Sequence, residues 1–275
     1  MTKDRPESLP ERKRQSRQMT AALSLLAVAI PFAAWLLLPR VPALGRVIAP
    51  ESGGTRFPES TLTLQQVTIG PGPGVAPQIT HVQVIDFDED GANDIIACDA
   101  QRSSVLWYRR TANGAWEERV LGRDLVVPAH ATVADIDRDG DRDVLVAILG
   151  NIWPDDGAVG RLILLENRDG QFAQRVLLDN VRRVADVQAG DLDGDDDLDL
   201  VVAVFGYARG SVLCLENVGS GNFRERELLA APGTIHVLIA DYDADGDPDI
   251  TAIVSQDEDG LYGFENLGDW KYQTR

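Results

Sequence analysis

Four stretches of this chain follow the pattern D-x-D-x-D-G-x-x-D or a near variant of it. Their carboxylates are Asp86, Asp88, Asp90 and Asp94; Asp135, Asp137, Asp139 and Asp143; Asp191, Asp193, Asp195 and Asp199; and Asp241, Asp243, Asp245 and Asp249. Carboxylates crowded this closely repel one another unless a cation sits among them. Calcium, a hard ion taking about six to eight oxygens at about 2.3–2.6 Å, fits such a set. Side chains at loop positions 1, 3, 5 and 9, with the main-chain carbonyl at position 7 (Ala92, Asp141, Asp197, Asp247), would supply that shell. Gly91, Gly140 and Gly246 permit a tight turn at position 6. Asp196 stands there in the third loop, and aspartate enters the left-handed region at modest cost.

An EF-hand loop begins in the same way, but it needs a glutamate at position 12 and flanking helices. Position 12 here is Ala97, Val146, Val202 or Ala252, and each loop runs on into an apolar, largely β-branched stretch. A helix-flanked loop is therefore excluded. One Asp-rich turn can exist without metal; four in phase argue for bound calcium.

The elements that must position these loops are read from the repeat. The first loop aspartates are 49, 56 and 50 residues apart, and the longer middle spacing is taken up by an insertion at Asn151–Val159. Each repeat holds four short strand-like runs. An inner run, as in His81–Ile85, enters the loop and a strongly apolar one, as in Asp199–Phe205, leaves it. A third follows, and a fourth alternates apolar with polar residues. Short runs separated by turn residues predict an antiparallel all-β protein, and four strands per repeat of this length predict propeller blades. The expected fold is a four-bladed or partial β-propeller of four-stranded antiparallel blades over residues 61–275, with a stacked solenoid as the alternative architecture.

On these loops, each followed by an apolar strand, residues 61–275 resemble the FG-GAP/VCBS repeat proteins, whose calcium blades look like those of integrin α-subunit propellers. The resemblance implies calcium held structurally between the first two strands of each blade. It also implies a surface adhesion or ligand-binding role. The chain departs from the family in having fewer than the usual seven blades and weak phenylalanine-glycine and glycine-alanine-proline signatures, of which Phe205-Gly206 is the best match.

A second position recurs. The three histidines, His81, His130 and His236, each stand five residues before a loop, and Asp186 takes that place in the third repeat. Five residues of strand span about 17 Å, so none can share its own loop's calcium. One reading is a polar hydrogen bond tying each blade to the next. The other is a ring of imidazoles and carboxylate at the channel mouth, able to bind a transition metal or a polar ligand.

Charge and hydropathy place the chain in the cell. The formal net charge is −18, although residues 1–18 are basic, so the remainder is strongly acidic and nucleic acid is excluded as a partner. Residues 21–38 carry no charge and follow the basic leader. The reading is a cytoplasmic tail (1–18), a transmembrane signal-anchor helix (19–39), a Pro/Gly-containing linker (40–60) and a repeat body outside the cytoplasm. Cleavage near Ala43-Leu44-Gly45 would make the protein secreted instead. Cys98 and Cys214 read as small buried hydrophobes.

No nucleophile elbow, phosphate-cradling loop or cysteine metal pair is present. Glu166-Asn167, Glu216-Asn217 and Glu265-Asn266 recur at the start of hairpins, where turn formation explains the asparagines. The expectation is a non-enzymatic binding or adhesion module with calcium as cofactor and a protein or carbohydrate ligand. The alternatives are an accessory or catalytic propeller of a polysaccharide-active enzyme, or a fragment of a larger seven-bladed propeller.

Overall fold

The computed structural model describes residues 67–70, 74–153, 156–219, 221–256 and 259–275. The expected tail, transmembrane helix and linker lie outside the described residues. Among the described residues no helix is long and apolar enough to cross a membrane.

The body is all-β. Among the described residues sixteen strands form four antiparallel sheets of four, each in simple sequence order. Blade 1 holds β1 (Ile79–Ile85), β2 (Asp94–Asp99), β3 (Ser104–Arg110) and β4 (Trp116–Gly122). Blade 2 holds β5 (Pro128–Ala134), β6 (Asp143–Ile148), β7 (Gly160–Arg168) and β8 (Gln171–Val181). Blade 3 holds β9 (Arg183–Gly190), β10 (Asp199–Phe205), β11 (Ser211–Asn217) and β12 (Phe223–Ala230). Blade 4 holds β13 (Thr234–Ala240), β14 (Asp249–Val254), β15 (Gly260–Asn266) and β16 (Tyr272–Thr274).

The burial of each strand follows from its place. The second strands of blades 2 and 3 are covered on both faces by neighbouring sheets, so they are apolar without alternation: DVLVAI in β6 is buried at every position. The outermost strands face water on one side and alternate, as WEERVLG does in β4. Three apolar cores join successive blades. Ile96, Cys98 and Trp107 pack with Val144, Val146 and Ile163 between blades 1 and 2. Leu145, Ala147 and Leu162 pack with Leu200, Val202 and Leu213 between blades 2 and 3. Val201, Ala203 and Cys214 pack with Ile250, Ala252 and Phe264 between blades 3 and 4. Cys98 and Cys214 are free and buried.

Among the described residues no such core joins blade 4 to blade 1. Val82 is 50% exposed, whereas Ala131, Val187 and Val237, at the same phase of the repeat, are at most 1% exposed. On the far face of blade 4, Leu261 is 71% exposed where Val105, Leu162 and Val212 are fully buried.

The inner strands carry one further shared device. Each has a register shift immediately before the recurrent histidine or aspartate: Ile79/His81, Pro128/His130, Val184/Asp186 and Thr234/His236. A bulge there bends the strand and re-aims the next side chain.

Candidate metal centre

The Asp loops connect the first and second strands of each blade, and one set of hydrogen bonds shapes all four. The position-1 carboxylate accepts from the position-6 amide: Gly91 to Asp86 (2.9 Å), Gly140 to Asp135 (3.1 Å), Asp196 to Asp191 (3.0 Å) and Gly246 to Asp241 (3.1 Å). The position-5 carboxylate accepts from the position-7 amide at 2.8–3.0 Å. Position 6 is left-handed throughout, with φ of 89°, 95°, 70° and 104°. Asp196 thus does what the three glycines do. Position 4 is left-handed as well, at Glu89, Arg138, Gly194 and Ala244 (φ 57–79°).

The ninth aspartate is the buried anchor. Asp143, Asp199 and Asp249 are at most 1% exposed. One oxygen of each accepts from the amide of loop residue 2: Ile136 (2.9 Å), Leu192 (2.9 Å) or Tyr242 (3.1 Å). The other accepts from the amide of Asn167, Asn217 or Asn266, each at 2.8 Å. Those asparagines also donate side-chain amides to the carbonyls of Arg142, Leu198 and Pro248, the residues just before the anchor. Their Oδ1 atoms accept from Gly170, Gly219 and Gly268 in the hairpin turn. Turn formation is therefore half of their role, and orienting the anchor is the other half. Recurrence at one phase of the repeat was the available signal for it.

In blades 2 to 4 this arrangement brings one carboxylate oxygen from each of positions 1, 3 and 9 within 4.8 Å of one another: Asp135, Asp137 and Asp143; Asp191, Asp193 and Asp199; Asp241, Asp243 and Asp249. Position 5, expected in the shell, stands outside these groups, and Asp139, Asp195 and Asp245 are exposed. In blade 1 the close group is Asp86, Asp88 and Asp90, and Asp94 is left out of it. These four are the only such groups among the described residues.

The residues fit a hard divalent cation. The close donors are all oxygens, and Asp86 Oδ1, Asp88 Oδ1 and Asp135 Oδ1 are buried without a hydrogen-bond partner. Burial pushes the carboxyl of Asp143 up to about 6 and that of Asp199 up to about 7, against the hydrogen bonds they accept. Burial also raises Asp137, and among its charged neighbours Asp139, Glu166 and Asp135 add to the rise. A cation bound among these groups would favour their ionised forms.

The first three loops are tied in succession, and the third is tied to the β15–β16 hairpin of blade 4. Arg142 pairs with Glu89 (3.2 Å), Arg138 pairs with Asp197, and the Trp270 indole donates to Asp193 (3.0 Å).

At the far ends of the inner strands, the histidine-phase residues converge. The His81 and His130 ring centroids are 3.8 Å apart and those of His130 and His236 are 6.5 Å apart. Asp186, 1% exposed, is the hub. Its Oδ1 lies 2.9 Å from His130 Nδ1 and its Oδ2 accepts from His236 Nδ1. It also accepts amide hydrogens from Val187 (2.7 Å) and, across the blade boundary, Val237 (3.0 Å). His81 Nδ1 accepts from Ala131 of the next blade (3.2 Å). These bonds tie each blade to its neighbour. Burial, with the His130 charge next, pushes His81 down to about 4. Burial pushes Asp186 upward, but the His130 hydrogen bond and the charges of both histidines outweigh it and hold the carboxyl below its usual range.

An all-β chain of tandem four-stranded blades, each with an Asp loop after its inner strand, defines a propeller-like repeat module. Comparison with family models agrees: residues 86–146, from the first loop into β6, match the FG-GAP-like repeat. Comparison with curated proteins gave no match.

Proposed function

We propose that the chain is a non-enzymatic binding module whose blades are stabilised by calcium and which is held outside the cytoplasm by residues 19–39. One observation carries the calcium reading. Blades 2 to 4 build the same three-carboxylate group, with the same buried anchor, from the same hydrogen bonds. Three independent Asp-rich turns would have no reason to share that geometry. The FG-GAP-like match supports the same reading, since such repeats often bind calcium. The binding role rests on the repeat architecture and on an acidic surface suited to a protein or carbohydrate ligand rather than to nucleic acid. Calcium titration of the full chain in detergent, with and without chelator, tests the reading. Saturable binding of several ions should raise the melting temperature, and a melting curve that chelator leaves unchanged would refute it. Protease added to intact cells should digest the repeat body and spare residues 1–18.

A further inference from the structure

The four loops are not equivalent, and the difference lies one strand away. Strand register aligns Tyr108, Leu165, Leu215 and Phe264, which pair with Ile95, Val144, Leu200 and Ile250. The next two residues are therefore Arg109-Arg110 in blade 1, but Glu166-Asn167, Glu216-Asn217 and Glu265-Asn266 in the others. A glutamate has become an arginine, and the asparagine that orients the anchor is absent.

The structure shows what each does. Glu166, Glu216 and Glu265 pair with arginines of their own blades: Arg168 (2.7 Å), Arg226 (2.6 Å) and Arg275 (2.5 Å). Arg109 turns to the loop instead. It forms ion pairs with Asp88 and, at 2.8 Å, with Asp90. Glu117, its cross-strand neighbour, pairs with Arg119 (3.1 Å). One of the anchor's two bonds differs too: Asp94 Oδ1 accepts from the Arg110 amide (2.6 Å), as its counterparts accept from the asparagine amides, but its other oxygen has a new partner. Asp94 Oδ2 accepts from the Trp107 indole (2.9 Å), where its counterparts accept from the amide of loop residue 2. Trp107 stands where blades 2 to 4 have Leu164, Cys214 and Gly263, none of which carries an indole N–H. Asp94 accordingly leaves the close group that Asp143, Asp199 and Asp249 join in their blades.

We infer that Arg109 is a built-in counter-cation for the first loop, so that this loop binds calcium more weakly than the other three and blade 1 keeps its shape largely without it. The inference rests on the calcium reading above. A guanidinium is always charged and its fork engages two carboxylates at once. It places positive charge on two members of the close group itself, whereas Arg138 pairs with Asp197, which lies outside the close group of the third loop. An incoming calcium must give up Asp94, compete for Asp88 and Asp90, and approach a fixed positive charge. Asp86 Oδ1 and Asp88 Oδ1 remain without partners, so the site is weakened rather than erased. Exchanging a negative for a positive side chain within several ångströms of a divalent ion should lower affinity about tenfold or more at physiological salt.

The test is calorimetric titration of the full-length protein with calcium against a competing chelator, supported by terbium luminescence. Three tighter ions and one weaker ion are expected. Asp88→Ala should leave the three tight ions in place, whereas Asp137→Ala should reduce them to two. Arg109→Glu should convert the weak site into a fourth tight one, with Arg109→Gln intermediate. Glu166→Arg should weaken one tight site. Four indistinguishable sites in the wild type would overturn the inference. So would an unchanged number of tight sites in folded Arg109→Glu protein, with no gain in affinity at the weak site in folded Arg109→Gln protein. Absence of binding at every loop, in wild type and variants, would instead overturn the calcium reading on which it stands.

Discussion

Replacing Asp186 by alanine probes the polar hub of the inner strands. The side chain accepts from the Val187 and Val237 amides and from Nδ1 of His130 and His236. Val187 and Val237 are fully buried, so water cannot replace the acceptor for their amides. Each stranded buried donor costs about 1–3 kcal/mol. The imidazoles are partly exposed, at 18% and 39%, and regain water, which limits their share. The sum is about 3–5 kcal/mol, the range for removing one partner of a buried ion pair. For a body of this size that is a fall in melting temperature of about 6–20 °C. Asp186→Asn keeps one acceptor oxygen and should lose about half as much. Urea unfolding followed by circular dichroism, with calcium and with chelator, measures it. The loss should be equal in both, since the hub lies at the other end of the inner strands from the loops. A loss below about 1 kcal/mol, or one that calcium abolishes, would refute the reasoning.

Other predictions follow from the loops and the histidines. Each calcium loop should contribute about 2.7 kcal/mol when free calcium is 100 times its Kd, so chelator should lower the melting temperature by several degrees per occupied site. Asp143 and Asp199 have carboxyls raised to about 6 and about 7, so the folded metal-free protein favours their protonated forms. Its stability should fall as pH rises from about 4 through about 7, and the calcium-induced rise in melting temperature should be larger at pH 7.5 than at pH 5. His81 runs the other way: its folded value of about 4 lies below its ordinary 6.5, so its contribution is full above 6.5 and is lost as pH falls toward 4. His81→Gln should flatten that acid limb. Ala244 is left-handed at φ 64°, and Ala244→Gly should raise stability in chelator by about 0.5–1 kcal/mol, read from urea midpoints.

What could be read in the sequence was whatever repeats locally. The Asp loops, the four strands per blade and the turn at position 6 all follow from residue type at fixed spacing, and Asp196 replaces glycine there as its chemistry allows. The left-handed position 4 was illegible because Glu89, Arg138 and Ala244 have no such preference; loop closure forces them into it. Position 5 was read as a ligand by analogy along the loop; the close group includes it in blade 1, as Asp90, and in blades 2 to 4 is drawn from positions 1, 3 and 9, a difference that spacing alone does not reveal. Asp186 looked like the odd member of a histidine set. Its place as acceptor for two blades depends on inter-sheet packing and on a bulge that spacing does not reveal. Arg109 was missed for the same reason, since its meaning appears only when strand register sets it beside the three glutamates.

The three apolar cores give the four blades unequal security. Blades 2 and 3 each lie between two of them, whereas blades 1 and 4 each hold one. Where the apolar cores join only successive sheets, stability is approximately a sum over units and junctions, and the blades with one such core among the described residues give way first. Amide hydrogens of β6 and β10 should then exchange only when the whole array opens, while those of β14 and β15 exchange through a smaller excursion that releases blade 4 alone. The fourth loop, carried by that blade, would bind its ion against a local opening equilibrium rather than a global one. Its occupancy would report on the opening of blade 4 as much as on the chemistry of its own carboxylates.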